Sequence, residues 1–517
     1  MALKSELYRL LDNAGRLCGD CREAGELARC IRDMRARLER PLRVAVVGIM
    51  KAGKSTFLNA LMGAPILYTG SLETTYTVCW FRYGEKPSVT VCFRDGEEMQ
   101  VPFSELELWS VRTSEKDNPR IREVRYLIIY YPGETLKKME FIDTPGLNSA
   151  YGTDAQNTLD FLSLKGSEDT LSEASEADAV IYAFSRSAAG FDREILSSFH
   201  GGGISASPVN SLGILTKVDA SGIWDIFSGE NPVVAAGPVA ASVMGREEMK
   251  KLLFTVLPVC AKAVEGCMQL SGRDWELLKE MTRTEEEELQ ELLFDAGEFA
   301  SGTDEALTRL APQKDRESLI NKLGQYGILE TVRQLRAGRS GEQTIATLRD
   351  ACGITAVKEM VQRHFGNRTF LIKARYILDH MMAVTARIRK ENPGSRLSQI
   401  CLELREEIEE LTTSVQPLKE LKVLQMYYNG QIRFQSEEEQ KDFLRLTGEY
   451  GRTPESRLGM LEGSTVSELR EAAREKASLW HGKASGFMMP GTYVEAASVL
   501  ARSCEQMYYH LNALTEE

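Results

Sequence analysis

Gly48-Ile49-Met50-Lys51-Ala52-Gly53-Lys54-Ser55-Thr56 is the stretch on which the reading of this chain turns. It has the form G-x-x-x-x-G-K-S. The run before it, Leu42-Arg43-Val44-Ala45-Val46-Val47, is apolar and β-branched and reads as a buried strand. The run after it, Phe57-Leu58-Asn59-Ala60-Leu61-Met62, reads as a helix start that Gly63 and Pro65 stop. Strand, glycine loop and helix N-terminus in that order put backbone N–H groups around a polyphosphate, and the helix dipole favours the anion. In such a loop Lys54 reaches the outer phosphates and Ser55 holds Mg²⁺, while Gly48, Lys51, Ala52, Gly53 and Thr56 complete the cradle.

Further motifs follow in order. Asp143-Thr144-Pro145-Gly146 ends the apolar strand Phe141-Ile142. Asp143 is placed to hold Mg²⁺ through water, and the Gly146 N–H to feel the γ-phosphate. Thr216-Lys217-Val218-Asp219 ends the strand Leu212-Gly213-Ile214-Leu215. A carboxylate at Asp219 accepts both donors of a guanine edge, which adenine does not present, and Lys217 lies along the base plane. Together these motifs select GTP over ATP. Val259-Cys260-Ala261-Lys262 resembles the base-side loop of GTPases, where a backbone N–H caps guanine O6. Glu73-Thr74-Thr75 lies between the first helix and the next strand. Thr75 is the residue expected to place its hydroxyl on Mg²⁺ and its backbone on the γ-phosphate; the plainer alternative is a pair of strand-start threonines. The implied cofactors are GTP or GDP with Mg²⁺.

The 517 residues exceed what one core needs, so two or three domains are expected. At 43% hydrophobic and 27% charged the chain is globular. A net charge of −12 argues against broad nucleic-acid binding, and no nucleic-acid partner is expected. The start, Met1-Ala2-Leu3-Lys4-Ser5-Glu6, is already charged. No apolar run reaches the roughly 18 residues a span requires. These features lead to a cytoplasmic location. The ten cysteines are scattered like reduced thiols, Cys18-x-x-Cys21 has no histidine nearby, and the five histidines are too dispersed for a metal site.

Residues 1–40 read as one helix ended by Pro41. From 41 to 268 strand-like runs alternate with helical ones, at 42–48, 76–83, 88–93, 121–130, 138–142, 178–184, 211–216 and 255–260. The class is therefore α/β, a mostly parallel sheet with helices on both faces. From 269 to 517 the strand signal disappears and an extended all-α bundle is expected. Its helices are predicted at 272–297, 303–311, 314–337, 341–350, 353–391, 396–428, 436–449, 463–483 and 490–515. The piece 353–391 would be about 58 Å long.

A large nucleotide-binding domain with a helix in front, a Thr-Lys-Val-Asp motif and a long helical remainder resemble the dynamin superfamily. The likeness is to the actinobacterial isoniazid-inducible dynamin-like proteins. It is carried by Pro41-Leu42-Arg43-Val44-Ala45, Lys51-Ala52-Gly53-Lys54-Ser55-Thr56 and Val78-Cys79-Trp80-Phe81-Arg82-Tyr83-Gly84. The resemblance implies GTP hydrolysis coupled to membrane binding, remodelling or fission at the cytoplasmic face of the plasma membrane. It also implies dimerisation through the GTPase faces, with a second copy or a paralogue. A GTP-switched scaffold without membrane work is the alternative. Leu147 stands where Ras-like GTPases carry a water-orienting Gln. Guanylate-binding proteins resemble this phosphate loop but have an Arg at the place of Lys51, used as a finger in cis; dynamins have a Ser there and recruit a monovalent cation. Lys51 is thus a candidate for that charge, replacing the cation.

Helix counting adds one expectation. If 353–391 runs outward and 396–428 returns, and 463–483 and 490–515 do likewise with the last helix pairing with 1–40, the turns 392–395 and 484–489 share a distal end. Arg387, Arg389, Lys390 and Arg396 flank the first turn, and Phe487, Met488 and Met489 form an apolar wedge in the second. Such a surface suits anionic lipid.

Overall fold

All six residues of β1, Leu42–Val47, are buried. A strand apolar on both faces must lie inside a sheet, and β1 does. The sheet has nine strands in the order β4-β3-β5-β2-β6-β1-β7-β8-β9. These are β2 Val78–Tyr83, β3 Ser88–Phe93, β4 Glu98–Val101, β5 Val124–Tyr131, β6 Met139–Asp143, β7 Ala179–Phe184, β8 Ser211–Leu215 and β9 Val256–Pro258. β1 runs parallel to β6 and β7, β7 to β8, and β8 to β9. Their C-terminal ends therefore meet at one edge, where ligands of open parallel sheets bind. β2 turns antiparallel to β6, and β3 pairs antiparallel with both β4 and β5.

The computed structural model describes residues 2–48, 51–69, 77–111, 118–144, 177–185, 208–220, 226–227, 229–428, 430–486 and 489–513. Thr75, Gly146, Phe487 and Met488 lie outside these residues.

Four expected helices are divided. The 272–297 piece becomes Gly272–Met281, Glu286–Leu293 and the start of Ala296–Ser301. Residues 1–40 form two, Ala2–Gly19 and Gly25–Glu39. The 353–391 piece becomes Ile354–Val361, a π-helical turn Gln362–Gly366, and Thr369–Glu391. The 396–428 piece splits into Arg396–Ser414 and Gln416–Tyr428 at the extended Val415. Pro417 explains that break, since its ring clashes with the carbonyl four residues back and it lacks an N–H.

Two apolar cores result. One joins the sheet to helices far beyond residue 268, taking in Leu277, Leu323, Leu424, Trp480 and Leu500. The expected boundary at 268/269 therefore marks no change of core. The other core belongs to a four-helix bundle of 2–19, 25–39, 369–391 and 396–414, with Leu7, Leu27, Met381 and Leu404 inside. The N-terminal helices thus pack with 369–414, not with the last helix. That helix, Gly491–Ala513, pairs with Val466–Ala484 and lies on 416–428.

The distal end changes accordingly. Helix 369–391 carries it about 35 Å from the base. The Arg387–Glu26 ion pair joins the 392–395 turn to the 20–24 turn there. Arg389, Lys390 and Arg396 are exposed at this end. The 484–489 turn is elsewhere: Met489 packs on the sheet-domain core, with Gln435 Nε2 3.6 Å from its sulfur. Among the described residues no helix is long and apolar enough to cross a membrane.

Candidate functional site

The phosphate loop leaves β1 under tight constraint. Gly48 has φ 155°, and a Cβ there would lie 2.2 Å from the Ala183 carbonyl oxygen of β7. Gly53, at φ 82°, caps the helix Lys54–Met62. The N–H groups of Lys54, Ser55 and Thr56 precede the first intrahelical bond, Phe57 N–H to Gly53 O at 2.9 Å, and face out of the helix end. Among the described residues two non-glycine residues have positive φ, Lys51 at 60° and Lys217 at 56°. Each such conformation costs on the order of 1 kcal/mol. Both fall on cations beside the same loop, so the strain marks the site.

Lys54 is 7% exposed, and its Nζ donates to Gly48 O at 3.2 Å. Burial lowers its pKa to about 8, with the Asp143 charge opposing. A buried ammonium destabilised in this way gains when an anion arrives. Ser55 Oγ donates to Asp143 Oδ2 at 2.7 Å. A hydroxyl and a carboxylate that close form a hard oxygen pair suited to Mg²⁺, whose other ligands are waters and phosphate oxygens. Among the described residues no group of three or more His, Cys, Asp and Glu forms a protein-only metal cage. The donor set therefore fits an ion held jointly with a nucleotide. Thr144 Oγ1 donates to Val46 O at 2.9 Å and fixes the end of β6 beside β1.

The base side is latched to this loop. Thr216 Oγ1 donates to Ala52 O at 2.6 Å, and its N–H to Phe184 O at 2.8 Å. Thr216 is thus a strut between loops, with its hydroxyl engaged by the chain. Asp219 sits in a recess where burial pushes its pKa up, while its own backbone N–H, Lys262 and Lys217 pull it back. Burial lowers Lys217; Asp219 opposes this, and Lys262 and Lys51 lower it further. Lys51, Lys217 and Lys262 therefore share one field, and Lys54 and two helix N-termini add to it.

One base-side expectation needs correcting. The Cys260 N–H already donates to Cys352 O at 3.0 Å. The donors facing the recess are then those of Ala261 and Lys262, the first turn of helix Ala261–Met268. The Thr56 side chain hydrogen-bonds to Glu265. Glu265, Asn59 and Thr69 were missed in the sequence. Their signals were present: Asn59 interrupts an apolar run, and Glu265 stands among Ala263, Val264 and Cys267.

The sheet domain grips the helical arm at two places. Asp178, ahead of β7, accepts from Arg43 N at 3.0 Å and Arg37 at 2.7 Å. The Arg37 guanidinium stacks 3.6 Å over Tyr376 of helix 369–391. The second grip is the π-helical turn. His364 is fully buried, and burial holds its pKa below the ordinary histidine value, so the ring is neutral at pH 7. Its Nε2–H donates to Pro208 O at 2.7 Å and its Nδ1 accepts from Arg368 Nη1 at 2.8 Å. The same Nη1 holds Glu449 at 2.6 Å. Phe254, preceding β9, stacks on the His364 ring at 3.9 Å. π-turns inside helices cluster at functional sites, and this one ties the start of β8 to the arm.

The description "Dynamin family" belongs to a family profile that matches residues 44–197. The isoniazid-induced protein IniC of Mycobacterium tuberculosis is 25% identical over 480 residues, 92% of each chain. A bacterial dynamin-like protein of Nostoc punctiforme is 34% identical over 126 residues, 23% of this chain and 18% of that one. A solved structure of an oligomerised bacterial dynamin pair overlaps 95% of this chain and 88% of its own at 12% identity, with a TM-score of 0.32. The sequence matches, and the order of the motifs along the parallel strands, agree: residues 44–197 match the dynamin family, and the chain is similar to bacterial dynamin-like proteins over nearly its whole length.

Proposed function

We propose that this protein hydrolyses GTP to GDP and phosphate with Mg²⁺, and that the cycle drives nucleotide-dependent pairing of the sheet domains and membrane binding or remodelling by the helical arm. The observation that carries the reading is the convergence of Lys54, the Ser55–Asp143 pair, and Asp219 flanked by Lys217 and Lys262 at the C-terminal ends of β1, β6, β8 and β9. Asp219 reads guanine, Ala261 and Lys262 N–H groups face O6, and Lys54 with the N–H groups of Lys54, Ser55 and Thr56 binds phosphate. Ser55 and Asp143 hold the Mg²⁺, which supplies charge neutralisation on the β- and γ-oxygens. Thr75 and Gly146 complete the γ-phosphate contacts in this proposal. Lys51 sets positive charge against the phosphates, the role a monovalent cation would otherwise fill. Arg389, Lys390 and Arg396 at the distal end meet anionic lipid, and the pairing partner is a second copy or a paralogue.

The test is GTP turnover measured against protein concentration, with and without anionic liposomes. Turnover per molecule that rises with concentration and with lipid supports the reading. Slow turnover insensitive to both, with stable nucleotide-dependent partner binding, supports a GTP-switched scaffold instead. Protein that retains neither GTP nor GDP, or holds ATP equally well, refutes both.

A further inference from the structure

The turn Ala351-Cys352-Gly353 ends the helix Gly341–Ala351 and backs the guanine side of the recess. Three contacts fix it there. Cys352 O accepts from Cys260 N at 3.0 Å, and Ala351 O accepts from Asn231 Nδ2 at 2.9 Å. Gly353, at φ 76°, closes on the end of β9: a Cβ there would lie 2.5 Å from Pro258 O and 3.6 Å from Val259 Cγ1. A left-handed glycine after a helix is an ordinary stop. Gly338 is one, following helix Gln313–Arg336 at φ 77° with nothing within 4 Å of a Cβ. Gly353 differs, because main chain packs on main chain and no side chain fits between.

The place of this contact ties it to the base. Pro258 pairs with Leu215 at the end of β8, and Val259 N donates to Leu215 O at 2.8 Å. β8 leads to Lys217 and Asp219, and β9 leads to Ala261 and Lys262. The turn thus presses where both sides of the recess begin. The Cys352 carbonyl also takes the Cys260 N–H, which leaves those of Ala261 and Lys262 for a ligand. The helix they open is held from behind. A Cβ on Gly266 would lie 2.3 Å from Lys322 O, and one on Gly327 3.2 Å from Ala263 Cβ, so helix 261–268 is wedged against helix 313–336. Any side chain at 353 needs roughly 1 Å more room to reach ordinary contact with Pro258 O. The Cys260–Cys352 hydrogen bond does not survive a stretch of that size.

We propose that Gly353 is a positioning residue for guanine: the turn it closes sets the first turn of helix 261–268 so that the Ala261 and Lys262 N–H groups meet O6. This rests on the GTP reading above. It goes beyond that reading by giving a residue of the helical part, outside the recognised motifs, a share in base selection.

The experiment measures binding of GDP, inosine diphosphate and 2-aminopurine riboside diphosphate to wild type, Gly353→Ala, Gly353→Asn, Asn231→Asp and Gly338→Ala. Inosine keeps O6 and lacks the amine; 2-aminopurine keeps the amine and lacks O6. Gly353→Ala is expected to weaken GDP and inosine diphosphate by about tenfold while the 2-aminopurine nucleotide holds within about twofold. Gly353→Asn does the same, although Asn tolerates positive φ, because its Cβ meets Pro258 O as well. Asn231→Asp keeps the acceptor for Val233 N and loses the donor to Ala351 O; it shifts the ratio in the same direction by about threefold. Gly338→Ala leaves the ratio unchanged. Equal weakening of all three nucleotides reduces Gly353 to a packing role and overturns the proposal. So does a ratio unchanged in Gly353→Ala, or restored in Gly353→Asn, which would leave backbone strain as the cause. Should both 353 variants fail to fold, Asn231→Asp decides alone, and an unchanged ratio there overturns the proposal. Wild-type protein that holds no guanine nucleotide refutes the nucleotide site itself, a result separate from any difference between variants.

Discussion

Replacing Glu449 by Gln should loosen the joint between the sheet domain and the arm by about 3 kcal/mol. Arg368 is 1% exposed and Glu449 2%, and their closest atoms are 2.6 Å apart. Burial pushes the Glu449 pKa up, but the Arg368 charge outweighs it and holds the carboxyl below its ordinary value. Breaking a buried pair from one side costs about 3–5 kcal/mol. The sign follows from the direction: a depressed carboxyl stabilises fully above about pH 4.5, and its contribution fades as pH falls below that. Amide hydrogen exchange over residues 362–368 reads the local opening, with 320–332 as a control. Glu449→Gln should speed exchange in the first stretch by about 150-fold at pH 7, and the gap should close on acidification below pH 4.5. Replacing both Arg368 and Glu449 with Met should recover most of the protection, because no unpaired charge remains. Exchange in Glu449→Gln within about threefold of wild type would refute the claim that this pair holds the joint.

Three further outcomes are expected. GDP affinity should fall as pH rises through about 8, because Lys54 is half deprotonated there in the free site and must regain its proton to meet phosphate; calorimetry in buffers of different ionisation enthalpy should show proton uptake on binding near pH 8, and pH-independent affinity from 7 to 9.5 would remove Lys54 from phosphate binding. Asp219→Asn should weaken GDP by about 100-fold and improve xanthosine diphosphate, whose O2 accepts from the new amide; a loss shared by both nucleotides would mean that Asp219 does not read the base. Lys51→Ala should cut GTP turnover by about 100-fold with partial rescue by K⁺, and normal turnover with no new K⁺ dependence would end the idea that Lys51 supplies charge.

The central strands were legible because nothing competes with them: β1, β6 and β7 are unbroken buried runs, and only a parallel sheet interior hides both faces. β4 escaped notice because Glu98-Met99-Gln100-Val101 is four residues with one fully buried side chain. The break at Val415 had its signal in Pro417. The break at 362–366 had none locally, because it is produced by distant partners, Pro208 and Glu449, drawing His364 and Arg368 inward. Helix pairing was also beyond the pattern. An amphipathic stripe records that a face is buried but not against which helix, so 2–39 suited 491–513 as well as its actual neighbours at 369–414. In the site, the lysines, Ser55, Asp143 and Asp219 were readable as motifs. The Cys260 N–H was not, because its acceptor, Cys352 O, lies 92 residues away along the chain.

The contact of Gly266 with the Lys322 carbonyl, and of Gly327 with Ala263, leaves no slack between backbones. Sliding one helix along the other would drive main chain into main chain. The two contacts fall on either side of Gly324, whose φ of 69° and ψ of 175° interrupt 313–336, so both halves of that kinked helix must travel with the base-reading helix whenever it shifts.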